Sequence, residues 1–224
     1  MATFTLLILI SISLAFWLGF DIFINPDMDL DEYYLLKALI EARKAEPTCS
    51  PNPAVGAIIV KNNQIIGSGF TQSLGRPHAE VVAINRCKIN PENATMYVTL
   101  EPCSHYGKTP PCVDLIISKK VKRVVIGIKD PNPLVNGKGI KKLKQVGIEV
   151  KTGVLKDKII EQLQWYLKYI KTSVPYITLK AGISIDGKIT DYKENSKWIS
   201  SENARLFSQK LREINDGIIV GINT

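Results

Sequence analysis

The chain has 224 residues, 45% of them hydrophobic and 22% charged, with a formal net charge of +8. That composition excludes a disordered chain and leaves room for one full globular domain plus part of another. Four cysteines, Cys49, Cys87, Cys103 and Cys112, are too few and too irregularly spaced for a disulfide framework. Reduced thiols in a cytoplasmic protein, some of them metal ligands, are expected instead.

In chain order, Met1 to Phe20 holds no charged side chain, and residues 5–20 read TLLILISISLAFWLGF. The run is near the ~17–25 residues that span a bilayer, but it lacks the basic start and small-residue cleavage site of a secretory signal. Residues 1–27 therefore form an extension with three open readings: a membrane anchor, a buried or interfacial helix, or sequence upstream of a true start at Met28. Membrane contact is expected only through residues 1–20.

From Leu30 to Ala45 a helix is expected, with Tyr33, Leu36 and Ile40 at helical spacing and Asp29 or Asp31 as N-cap. Two apolar runs, AVGAIIV (54–60) and QIIGSGF (64–70), flank a Lys-Asn-Asn turn and read as a hairpin. A helix from His78 to about Cys87 and a strand at 95–100 follow. Beyond the Cys103–Cys112 loop come helix 112–119, strand 121–128, helix 137–145, strand 147–151 and helix 156–171. The order α-β-β-α-β-α-β-α-β-α predicts a sheet of about five strands covered by helices on both faces. This first domain is bounded at 28–172.

A second unit, 173–224, opens at Val174-Pro175 with strand 176–181, a Gly-rich loop, SKWIS (196–200), a helix over 201–213 and strand 217–222. About fifty residues in β-loop-α-β order bury too little surface to close a sheet alone. It reads as the opening of a further domain.

Between Lys119 and Lys171 stand 14 Lys and Arg against 4 Asp and Glu. Such a local excess fits a nucleic-acid surface, solvated helix faces or a phosphorylated small substrate. From Lys119 to Lys158 no aromatics are interleaved with these lysines, and no nucleic-acid partner is expected.

The strongest chemical signal is His78-Ala79-Glu80 followed by Pro102-Cys103 and Cys112. One imidazole and two thiolates make the three-ligand set of a catalytic zinc site with an open fourth position. Zinc there lowers the pKa of water toward 7. Glu80, two residues past the ligand on the same helix, can take the water's proton and pass it to a departing amine. The pattern follows the zinc-deaminase signature H-x-E…P-C-x-x-C, except that eight residues, SHYGKTPP, separate the cysteines. Cys87 and His105 are read as bystanders to the metal. The bland alternative is a core histidine with two inert thiols.

HAEV (78–81), TLEPCSHYGKTPPC (99–112) and KDPNPLVNGKG (129–139) resemble the bifunctional riboflavin-biosynthesis pyrimidine deaminase/reductase family. YITLKAGISIDGKI (176–189) and SKWIS resemble the start of that family's reductase domain. The resemblance implies a three-layer α/β/α cytidine-deaminase-like domain with a mixed sheet, followed by the start of a dihydrofolate-reductase-like α/β domain. It implies hydrolytic removal of an amino group from a diaminopyrimidinone bearing a phosphoribosylamino arm, leaving the aminouracil and ammonia, with Zn2+ as cofactor.

By the same resemblance, Asn52, Lys108, Asp130 and Asn132 match deaminase substrate contacts. Ser196 and Arg212 match reductase substrate positions, and Gly182, Trp198 and Thr224 match positions near NADPH. Asn52, Asp130 and Asn132 also read as ordinary turn residues. Thr71 stands where the family often has a histidine, seven residues before the metal ligand, which weakens or replaces that contact. Because the chain stops at Thr224, reduction by this chain alone is doubtful. A homo-oligomer is expected. The rivals are a nucleoside or tRNA base deaminase, which calls for a short PCxxC, and a non-catalytic zinc-binding or membrane-tethered scaffold, which loss of Glu80 would favour.

Overall fold

The computed structural model describes residues 28–46, 48–107, 110–190, 192 and 199–222. The apolar run at 1–20 therefore lies outside the described residues, as do Lys108, Ser196, Trp198 and Thr224. Among the described residues no helix is long and apolar enough to cross a membrane.

Helix α1 spans Leu30–Arg43, with Asp29 in the N-cap position and Asp31 and Glu32 in its first turn, where acidic side chains suit the positive helix end. Its buried stripe is Leu35, Leu39 and Ala42, supplemented by Tyr34, Leu36 and Ala38. Tyr33 and Ile40, expected on that stripe, are only half-buried. The helix is apolar around more than half its girth, so spacing alone did not separate two neighbouring stripes.

Strands β1 (Gly56–Lys61) and β2 (Gln64–Phe70) form the expected hairpin. Asn62 and Asn63 make its two-residue turn at φ 50° and 59°, the left-handed pair that matches strand twist and that asparagine tolerates. Helix α2 (Ala79–Asn85), strand β3 (Thr95–Leu100) and helix α3 (Cys112–Ser118) follow. Strand β4 is Arg123–Ile128, helix α4 Lys138–Gln145 and strand β5 Glu149–Thr152.

The sheet order is β2-β1-β3-β4-β5. β1 is antiparallel to β2 and β3, whereas β3, β4 and β5 run parallel. This is the mixed three-layer sheet that the resemblance implied. α1 lies on one face, so close that a Cβ on Gly56 would sit 1.9 Å from the Ala38 carbonyl oxygen. α2 lies on the other, where a Cβ on Gly69 would sit 2.5 Å from the Ala83 nitrogen. α3 packs on α2 and α4 on α3. The central strands are apolar on both faces, with Met96, Val98, Val124, Val125 and Ile126 fully buried, as parallel strands covered by helices require.

The helix expected over 156–171 is two: α5 (Lys156–Gln162) and α6 (Gln164–Thr172). They meet at Leu163, whose φ −95° and ψ 12° depart from helical values. The apolar stripe Ile159, Leu163, Tyr166, Leu167 continues across the break and is buried throughout. Packing on the sheet thus redirects the helix without a proline or glycine.

At the start of α1, Asp31 accepts hydrogen bonds from Arg123 at 2.7 and 2.9 Å, from Lys151 at 2.6 Å and from the Tyr97 hydroxyl at 3.2 Å. This buried carboxylate ties α1 to β3, β4 and β5. Arg123 holds the Asp31 carboxyl well below the usual carboxylate range, against the opposing effect of burial.

The second unit departs from expectation. Neither 176–181 nor 217–222 forms a strand; among the described residues of this unit the one regular element is helix α7 (Glu202–Glu213), capped by the Ser201 hydroxyl accepting from the Ala204 amide. A strand exists only when a neighbour satisfies its backbone. No sheet neighbour stands beside these segments among the described residues.

Candidate metal centre

The site lies past the carboxyl ends of the parallel strands β3 and β4, the place where open α/β sheets gather ligands. His78 sits in the N-cap position of α2, with extended φ −67° and ψ 159°. Cys103 lies three residues past β3, and Cys112 opens α3. The two ends of the intervening segment are tied together: the Cys112 amide donates to Cys103 Sγ at 3.3 Å, and the Val113 amide to the Cys103 carbonyl at 3.2 Å.

His78 Nδ1 lies 3.3 Å from Cys112 Sγ and 3.6 Å from Cys103 Sγ, and the three donor atoms all fall within 4.8 Å of one another. Four-coordinate zinc, with bonds of about 2.3 Å to sulfur and 2.0–2.1 Å to nitrogen, separates nitrogen from sulfur by about 3.5 Å. The donor set fits zinc in both chemistry and spacing. The sequence reading named these three residues, and the fold brings them together.

The charges follow one pattern. The hydrogen bond from Cys112 lowers the Cys103 thiol below its usual range, helped by His78 and opposed by burial. Cys103 in turn pushes the Cys112 thiol up, and burial adds to it. Cys103 raises His78, against burial. The trio shares protons that a bound dication would displace.

Glu80, in the first turn of α2, is buried, and that burial pushes its carboxyl up while His78 pulls it down. A desolvated carboxyl whose hold on a proton is raised is suited to taking a proton from water and passing it on. Cys87 and His105 stay out of the metal trio. Cys87 Sγ donates to the Ala83 carbonyl at 3.4 Å at the far end of α2. His105 Nδ1 is buried without a hydrogen-bond partner among the described residues.

Of the remaining site residues, Asn52 precedes β1 and donates from Nδ2 to the Leu74 carbonyl at 3.2 Å. Gly75, at φ 79°, packs so tightly on Asn52 that a Cβ would lie 2.1 Å from that nitrogen. Thr71 is buried, and its hydroxyl accepts from the Val55 amide at 3.1 Å, so this group serves the hairpin's entry. Asp130, two residues past β4, is buried and accepts the Asn132 amide at 2.9 Å. Asn132 Oδ1 accepts the Leu134 amide at 3.0 Å, and its side chain also hydrogen-bonds Tyr166.

Two residues went unassigned in the sequence reading. Glu101, buried just before Pro102-Cys103, accepts amides of Gly137 at 2.9 Å, Ile140 at 3.2 Å and Asp130 at 3.3 Å. Tyr166 on α6 donates to both Asp130 oxygens, at 3.0 and 3.2 Å. The partners lie 29 to 39 residues away along the chain, so no local spacing announces them.

In the second unit, a Cβ on Gly182 would sit 3.5 Å from Ser200 Oγ, and Arg212 is exposed on α7. Among the described residues no strand or buried core joins these two.

Residues 28–128 match the family described as the cytidine and deoxycytidylate deaminase zinc-binding region, and residues 175–224 match the RibD C-terminal domain. The chain is 50% identical over 195 residues to riboflavin biosynthesis protein RibD of Bacillus amyloliquefaciens, covering 87% of this chain and 53% of that protein. It is 44% identical over 194 residues to RibD of Escherichia coli K12, again covering 87% and 53%. A solved deaminase/reductase from Thermotoga maritima superposes with a TM-score of 0.78 at 41% identity, over 82% of this chain and 53% of that one. The chain thus spans about half the length of the curated relatives it matches.

Proposed function

Since the chain belongs to the family of riboflavin biosynthesis protein RibD, we propose that it is a zinc-dependent hydrolytic deaminase. Its substrate in this reading is a diaminopyrimidinone carrying a phosphoribosylamino arm, and its products are the corresponding aminouracil and ammonia. The observation that carries this is the juxtaposition of the His78, Cys103 and Cys112 donors with the buried Glu80 carboxyl.

His78, Cys103 and Cys112 would hold zinc, which when bound supplies Lewis-acid activation of water near neutral pH. Glu80 accepts a proton from the attacking water on a carboxylate oxygen and returns it to the departing amino group. One carboxyl thus serves as base and then as acid, and burial keeps that proton from bulk solvent. Asn52, Asp130 and Asn132 would orient the pyrimidine and its arm through directional hydrogen bonds, with Lys108 drawing in the phosphate.

Residues 28–172 form the deaminase unit in this reading, and 173–224 a reductase-like segment to which no hydride transfer is assigned. Four free cysteines support a reducing, cytoplasmic setting. The assembly in this reading is a homo-oligomer that binds no nucleic acid.

The test is ammonia release from that substrate by purified zinc-loaded protein, with and without NADPH. Release at equal rates in both is expected. Release from cytidine or a tRNA, but not from the diaminopyrimidinone, would leave the zinc chemistry standing and remove the substrate assignment.

A further inference from the structure

Asp130 is held from two directions. Its amide donates to Glu101, the residue that leads through Pro102 to Cys103, so its backbone is tied to the metal loop. Its carboxylate is held by α6, from which the Tyr166 hydroxyl reaches Oδ1 at 3.0 Å and Oδ2 at 3.2 Å. Oδ1 also accepts the Asn132 amide at 2.9 Å. Both side chains are buried, with Tyr166 6% and Asp130 5% exposed.

A carboxylate has about four acceptor sites. Here Oδ1 is the more heavily engaged oxygen, whereas Oδ2 shares one phenolic hydrogen. The ring of Tyr166 is fixed in turn by the buried stripe of Ile159, Leu163 and Leu167, which survives the break between α5 and α6.

We propose that Tyr166 is a positioning residue for the deaminase substrate site, locking the Asp130 carboxylate so that Oδ2 faces a hydroxyl or amino donor on the substrate. The inference rests on the deaminase reading for the role of Asp130, and it adds a residue outside the sequence motifs. Without the phenol, the carboxylate keeps its backbone tie but loses the bond that fixes its rotation. A substrate then meets an acceptor that must first be reoriented.

Tyr166→Phe preserves the ring and its packing and removes only the hydroxyl. A hydrogen bond to a charged group is worth enough that its loss should raise KM about tenfold or more, with kcat changed less than about threefold. Zinc content should stay at that of the parent. Tyr169→Phe, on the same helix but exposed, should change neither constant. In an Asp130→Asn background, Tyr166→Phe should add less than about twofold, because a residue acting through Asp130 has nothing left to position. Multiplying effects in that cycle would assign Tyr166 to general packing and overturn the proposal, as would an unchanged KM in the single variant.

Substrate binding to zinc-loaded Glu80→Gln protein, with and without Tyr166→Phe, separates the two readings. If the parent releases no ammonia yet Tyr166→Phe weakens binding about tenfold, the reaction assignment falls and the positioning role stands. If binding is unaffected, or no binding occurs at all, the positioning role falls.

Discussion

Two stretches of this chain are comparably rich in isoleucine, leucine and valine and meet opposite fates. In 28–172 those side chains fill a single core around five strands, with Ile126, Leu143, Ile159 and Leu163 fully buried. In 174–222 Ile177, Leu179 and Ile219 are 77, 81 and 100% exposed, and none of the described residues there is buried. The difference is not hydrophobicity. It is whether a paired strand and a covering helix exist to receive the apolar face, since a strand with unsatisfied backbone gains little by forming. The chemistry follows the same line: every described residue of the metal centre belongs to the first stretch.

The sharpest way to test that assignment is at the metal centre itself. Cys103→Ser or Cys112→Ser should abolish stoichiometric zinc, read by elemental analysis, whereas Cys87→Ala and His105→Ala should keep about one zinc per chain. Glu80→Gln should keep the zinc and lose turnover by about 10²–10⁴-fold. Near-normal ammonia release from the Glu80→Gln protein would remove Glu80 from the mechanism. Full zinc occupancy in either cysteine variant would break the ligand assignment.

How much of this was legible in the sequence depended on whether the signal was local. The metal trio was, because histidine and cysteine are scarce and carry chemistry in a spaced motif, and the hairpin was, because Asn62-Asn63 tolerates positive φ. The buried face of α1 was misjudged: Leu36 is buried, but Leu35 and Leu39 carry the centre of the stripe beside it. The break at Leu163 had no proline or glycine to announce it. Tyr166 and Glu101 were missed because their bonds to the Asp130 loop span dozens of residues and exist only once the sheet has formed. The strands expected at 176–181 and 217–222 had adequate residues and lacked a neighbour.

A smaller effect should appear where the first stretch is tied together. Asp31→Asn leaves Arg123 partly buried and paired only with Glu149 at 2.7 Å, so it should cost about 3 kcal/mol of stability, read by urea unfolding. The sign of the pH dependence follows from the depressed carboxyl. Its contribution is complete above the unfolded value of about 3.9 and is lost as pH falls below it toward the lower folded value. The parent should therefore lose stability in acid more steeply than Asp31→Asn. Parallel acid profiles would show that the clasp contributes nothing.

The smallest effect is expected from severing the two stretches. Trypsin should cut first at the exposed Lys180 and Lys188, in backbone without strand or helix, and the product ending there should keep its zinc and its ammonia release. The Lys168 ammonium lies 5.8 Å from the Tyr176 ring centre, an exposed cation–π pair worth about 0.5–1 kcal/mol, and both partners stay with the product of either cut. The cut should therefore move Tm by less than the ~2–4 °C that 1 kcal/mol would give in a unit of this size. Tyr166 and α6 lie before the cut, so the substrate KM should also be unchanged. A deletion ending at Gln162 removes them and should raise KM even where zinc is retained. Intact protein that binds NADPH tightly, or a cut product that loses deaminase activity, would show that the second stretch is part of the working enzyme and that its exposed apolar residues find a partner in solution.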